Sequence, residues 1–100
     1  MTATPVVLTL AAALIVIGMA GVLARRNLMF MLVSVELVFN GAGLAFIAAG
    51  AHWAQPDGQV MFLLILSVSG AETATALALM LRLERHYGTL DVDAMRQLRD

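Results

Sequence analysis

Two carboxyl groups stand alone in long apolar stretches of this chain. Glu36 is the only charged side chain between Arg26 and Asp57, and Glu72 is the only one between Asp57 and Arg82. A charge at the centre of a bilayer costs roughly 2.5–3.5 kcal/mol on insertion scales, so such a residue faces protein or water rather than lipid. A carboxyl group removed from bulk water trades its proton according to the water and charge beside it, because burial penalises the ionised form. Two such groups close together titrate as a coupled pair. Proton exchange is therefore the chemistry that Glu36 and Glu72 offer. Asn40 lies four residues after Glu36, on the same helical face, where its amide can donate toward the carboxylate or bond a neighbouring helix. Ser69, Glu72, Thr75 and Ala76 recur at spacings of three and four, which predicts one narrow, weakly polar helix face.

Bond-making chemistry has no comparable footing. No nucleophile–base pair, glycine-rich phosphate loop or metal-ligand cluster is present. The chain has no cysteine, so it supplies no thiolate for an iron–sulfur cluster or a disulfide. No basic patch points to nucleic acid. His52 stands alone in a loop, without a second ligand nearby.

The elements that must hold the two acids are membrane helices. Of 100 residues, 61% are hydrophobic and 13% charged, too apolar for a soluble domain of this size. The apolar blocks are each about 20 residues or longer, the length that crosses a hydrocarbon core of about 30 Å. Backbone groups in lipid must be satisfied within the segment, which leaves helices. The prediction is an all-α integral membrane protein with three transmembrane helices over about residues 5–23, 28–50 and 59–82. Residues 1–100 read as a single three-helix unit, with 83–100 as a polar tail. The uncharged start, Met1 to Pro5, and the two later spans make the first block a retained helix rather than a leader.

Local signals agree with these spans. Pro5 suits a first helical turn. Gly18, Ala20, Gly21 and Ala24 make half of the first helix small, suited to close packing in lipid. Pro56, Asp57 and Gly58 read as a turn, and Gly88 as the stop of the third helix. Trp53 and Tyr87 fit the interfacial aromatic belts. Residues 91–99 are expected to form a short surface helix, acidic at its start and basic at its end. All six basic side chains lie in the Arg25–Arg26 turn or after Leu81. The positive-inside rule then puts the N-terminus outside and the C-terminus and tail in the cytoplasm.

Depth links the two acids. Glu36 is eight residues into the second helix, about 12 Å at helical rise, and Glu72 is ten residues before Arg82, about 15 Å. Antiparallel helices would bring both to nearly one level. Packed axes are about 8–10 Å apart, a gap that one or two waters bridge. Three helices do not enclose a hydrated path, so other membrane subunits must supply its remaining walls.

The combined pattern resembles a known family. Arg25-Arg26-Asn27, Glu36-x-x-x-Asn40, Asp57-Gly58-Gln59-Val60 and Ala71-Glu72, in a chain of this length, are similar to subunit K of bacterial NADH:quinone oxidoreductase (respiratory complex I), the counterpart of mitochondrial subunit 4L. The resemblance covers nearly the whole chain. It implies a non-redox subunit of the membrane arm, in the bacterial inner membrane, between the quinone-site subunits and the antiporter-like subunits. It implies that Glu36 and Glu72 belong to the hydrophilic axis coupling quinone reduction to proton translocation, with Arg25 and Arg26 taking part and Asn40, Ser69 and Thr75 in support. It places FMN, the iron–sulfur clusters and the quinone in other subunits. The chain departs from the family's habit at Ser67-Val68-Ser69-Gly70, where alanines are usual, at Ala76, where glycine is common, and at Asp100, where the tail usually ends in glycine.

Other readings compete. A membrane-bound hydrogenase or a multisubunit cation/proton antiporter reuses the same module, although the antiporter version should lack the helix 3 acid. A rotary-ATPase ring subunit would have two helices and one carboxylate, and a small drug exporter four helices and one. A purely structural spacer would keep both glutamates permanently protonated.

Overall fold

The computed structural model describes residues 3–93. It contains three helices: α1 (Ala3–Ala24), α2 (Leu28–His52) and α3 (Asp57–Tyr87). Each is long and apolar enough to cross a membrane, as the sequence predicts. Residues 1–2 and 94–100 lie outside the described residues, and with them most of the surface helix expected over 91–99.

The helices outrun the predicted spans. α1 begins at Ala3 rather than Pro5, which still lies in its first turn. α2 continues to His52. α3 starts at Asp57 and ends at Tyr87, so Asp57 and Gly58 open the helix instead of forming a turn. Hydropathy marks the length that lipid covers, whereas helical hydrogen bonding continues through Glu84, Arg85 and His86. The stop is local. Gly88 takes a left-handed conformation (φ 72°), and its N–H donates to the Glu84 carbonyl at 2.6 Å, a cap that a residue with Cβ adopts only at a cost. Residues 83–87, assigned to the tail from hydropathy, are thus the last turns of α3.

The start of α2 is closed from two directions. Asn27 is extended, and its side chain accepts from the Met29 N–H at 2.9 Å, the usual service of an N-cap asparagine. The Leu28 N–H donates to the Leu90 carbonyl at 3.0 Å, and the Val92 N–H donates to the Arg26 carbonyl at 2.9 Å. Residues 90–92 thus pair antiparallel with 26–28 across the bridge between Asn27 and Asp91. One amide left without an intrahelical partner by the start of α2 is satisfied by the segment after α3.

α2 packs against both α1 and α3. Small residues set the spacing of the first pair. A Cβ on Gly41 would lie 2.8 Å from the Ala11 carbonyl and 2.7 Å from Ile15, and a Cβ on Gly18 2.6 Å from the Ser34 carbonyl. Ala11, at 1% exposure, is the most buried apolar residue described. Gly18 and Gly21 belong to this seam as expected, but Ala20 and Ala24 are exposed. The seam of α1 runs through Val7, Ala11, Leu14, Gly18 and Gly21, a spacing of three and four that turns 20 and 24 outward. Gly41→Val is expected to push α1 and α2 apart, since overpacking costs about 1–3 kcal/mol. The amount of chain recovered in assembled complex from detergent-solubilised membranes checks this.

The second pair meets differently. At its loop end Gly50 and Gly58 lie against each other, with no room for a side chain on either: a Cβ on Gly50 would be 2.9 Å from the Gly58 Cα. Phe62, one turn after Gly58, fills the space over Gly43, two turns before Gly50. Large apolar side chains remain exposed along all three helices, among them Val16, Val33, Leu63 and Leu79. They match an environment of lipid or other membrane helices rather than water.

Candidate functional site

The centre of the α2–α3 seam is polar. Glu36 and Gly43 are seven residues apart and so share the face of α2 that meets α3. On α3 the facing residues are Phe62, Ile65, Ser69, Thr73, Ala76 and Met80. The carboxylate of Glu36 bridges the gap between the helices. Its Oε2 accepts from Ser69 Oγ at 2.7 Å, and its Oε1 accepts from Thr73 Oγ1 at 2.8 Å. Each oxygen thus has a hydroxyl donor, and the two donors lie one turn apart on a single helix. Glu36 and Thr73 are half-buried, and Ser69 is 6% exposed.

Glu72 belongs to the same turn of α3, between the two hydroxyl residues. Its position is about 60° around the helix from Ser69, at 100° per residue, and it is exposed on this chain. The carboxyl of Glu36 therefore reaches α3 at the level of Glu72, but the two acids do not occupy one face. A carboxyl group at that depth requires cover that the described residues do not provide.

The supporting residues divide. Ser69 sits in the seam, as its predicted face requires. Thr75 does not: it is exposed, on the far side of α3 from Glu36. Thr73, absent from the predicted face, supplies the second hydroxyl. That face was built on Glu72 at spacings of three and four, whereas the seam follows Ser69, Thr73, Ala76 and Met80 and leaves Glu72 and Thr75 to one side. Asn40 is exposed, and the bonds to Glu36 come from α3 instead.

The arginine turn sits at the end of the molecule where α3 stops. The Arg25 guanidinium lies 4.5 Å from the centre of the Phe30 ring, a cation–π arrangement. Arg26 pairs with Asp93 at 3.6 Å, with the side chains 69% and 55% exposed. Exposed pairs are worth about 0–1 kcal/mol. Asp93→Asn is therefore expected to change stability little, while Asn27→Ala, which removes the α2 cap, costs about 1 kcal/mol. Thermal dissociation of the assembled complex compares the two.

Among the described residues, no group of three or more His, Cys, Asp or Glu side chains is arranged to hold a metal ion. The polar contacts at the seam suit proton exchange between oxygens and helix–helix adhesion.

Comparison with known proteins gives one consistent answer. A family model described as NADH-ubiquinone/plastoquinone oxidoreductase chain 4L matches residues 6–100. The chain is 56% identical to NADH-quinone oxidoreductase subunit K of Nitrosospira multiformis. It is 55% identical to the subunit K of Acidiphilium cryptum and 52% to that of Chromohalobacter salexigens. Each match covers 92% of this chain and 90% of the relative. A seam of this polarity within three membrane-length helices, in a chain matched over nearly all its length, leads to one assignment: the chain belongs to the NADH-ubiquinone/plastoquinone oxidoreductase chain 4L family.

Proposed function

We propose that this chain is a non-redox, membrane-arm subunit of a proton-pumping NADH:quinone oxidoreductase in the bacterial inner membrane. In this role Glu36 and Glu72 are proton-relay groups of the coupling axis, and Arg25 and Arg26 serve coupling at the cytoplasmic end. Ser69 supports the relay through its bond to Glu36, while Asn40 and Thr75, exposed on this chain, would do so only through groups of other subunits. The N-terminus is outside, and residues after α3 form a cytoplasmic tail. In the sequence all six basic residues fall in the turn between α1 and α2 or after Leu81, which supports this orientation.

One observation carries the proposal. Glu36 reaches across to α3 through Ser69 and Thr73, in the turn that also bears Glu72. Two ionisable groups at one level, one inside the seam and one facing outward, fit a lateral relay whose next member belongs to another subunit. The redox cofactors and quinone belong elsewhere in the complex.

The hydrogen bonds of Glu36 also favour a second role, as a polar clasp between α2 and α3. The double variant Glu36→Gln/Glu72→Gln separates the two. Inverted membrane vesicles are energised with NADH, and proton uptake is compared with electron transfer to quinone, per assembled complex. Loss of coupled uptake with assembly retained supports the relay; full uptake with both acids gone leaves only the clasp.

A further inference from the structure

Hydroxyl groups in these helices have a default partner. Thr9 Oγ1 donates to the Pro5 carbonyl at 2.8 Å, Ser34 Oγ to the Phe30 carbonyl at 2.8 Å, and Ser67 Oγ to the Leu63 carbonyl at 3.0 Å. Each turns back four residues along its own helix, as serine and threonine commonly do where no water is available. Ser69 and Thr73 depart from this pattern. Both hydroxyls leave α3 and cross to Glu36 on α2. Ser67, two residues before Ser69, bonds within its own helix, so the departure is specific to the seam. Both distances fall within the range of good O–H···O hydrogen bonds.

A hydroxyl can reverse its hydrogen bond. Facing an ionised carboxylate, both hydroxyls donate. When Glu36 takes up a proton, one of its oxygens becomes a donor and needs an acceptor. Ser69 or Thr73 can accept it by turning its own hydrogen to the carbonyl four residues back, Ile65 for Ser69 and Ser69 for Thr73. The proton added to Glu36 is then the only atom gained, and every hydrogen of the group keeps a partner in both states.

We propose that Ser69 and Thr73 are positioning residues for Glu36: their two hydroxyls aim its carboxyl at α3 and reverse hydrogen-bond direction as it gains and loses a proton. This proposal rests on the proton-relay reading of Glu36. It makes Thr73, which has the weaker sequence signal, a partner of the relay equal to Ser69.

The test uses the assembled complex in native membrane vesicles, with rates expressed per assembled complex. Thr73→Val keeps the shape and removes the donor; Thr73→Ser keeps the donor and removes a methyl group. One hydrogen bond of ordinary strength corresponds to about a threefold to tenfold change in rate. Thr73→Val and Ser69→Ala are expected to lower NADH-driven proton uptake by about that factor, with Thr73→Ser restoring most of it. Ser67→Ala, whose hydroxyl bonds only its own helix, should leave uptake unchanged. A second readout is the infrared carboxyl band that appears on reduction in the parent complex and disappears in Glu36→Gln. That band should shift in Thr73→Val and return in Thr73→Ser. Equal losses in Thr73→Val and Thr73→Ser would make Thr73 a packing residue and overturn the proposal, as would an unshifted band. Unimpaired pumping in Glu36→Gln would instead remove the relay reading, and this proposal with it. If Thr73→Val does not assemble, Ser69→Ala, which deletes one oxygen atom, decides by the same two readouts.

Discussion

Glu36→Gln is expected to leave the complex assembled and to abolish most of its coupled proton uptake. The side chain keeps its length. Its amide oxygen accepts from one hydroxyl of the Ser69–Thr73 pair, and its NH₂ donates to the other, which reverses to accept. The α2–α3 seam therefore closes as before. What disappears is the exchangeable proton. A positioned proton-transfer group is worth about 10²–10⁴-fold where no substitute exists, and water entering the seam recovers part of that, so a fall of about tenfold or more is expected. Glu36→Leu should be worse in a second respect. It removes both hydrogen bonds that join α2 to α3, each worth about 0.5–1.5 kcal/mol, as the hydroxyls retreat to their own helix. Assembly and uptake measured together separate the variants: glutamine loses uptake alone, leucine loses both.

Glu72→Gln is expected to reduce coupled uptake by a similar factor, about tenfold, for a different reason. Glu72 has no partner of the Glu36 kind on α2; it stands exposed on α3. Its hydrogen-bonding environment belongs to whatever covers that face. Glu72→Leu should therefore assemble as well as the parent if lipid covers the face, and poorly if a polar group of another subunit does. The proposal requires the second outcome. Membrane potential followed with a voltage-sensitive dye during NADH oxidation reads the coupling, and native gel electrophoresis reads the assembly.

The helices were legible because charge is so scarce in this sequence: each apolar block is interrupted by one acid or none. Their ends were less legible. Apolar length reports the thickness of lipid, and α3 runs past it through Glu84, Arg85 and His86 until Gly88 stops it. Glu36 announced itself as a lone charge, yet its partners were only half readable. Ser69 stands on the polar face read around Glu72, and the structure turns it to Glu36; Thr73 falls off that face, because the face takes Glu72 as its centre. A helix face is set by the larger apolar neighbours, here Phe62, Ile65 and Met80, and the acid falls where that register leaves it. The pairing of residues 26–28 with 90–92 gave no sequence signal at all. It is made of backbone groups, it is only two hydrogen bonds long, and it joins segments about sixty residues apart in the chain.

The order of packing has a consequence for how the protein is made. Everything that joins α1 to α2, from Ala11 against Gly41 to Gly18 against Ser34, has been synthesised before Asp57 leaves the ribosome. The first hairpin can close in the insertion machinery while α3 is still untranslated. Glu36 must then wait in an incomplete groove, its carboxyl served by water or by the translocon, until Ser69 and Thr73 arrive. A stall or truncation between residues 57 and 69 would strand that acid, and quality-control proteases of the membrane would meet a chain with a closed hairpin and one polar wound.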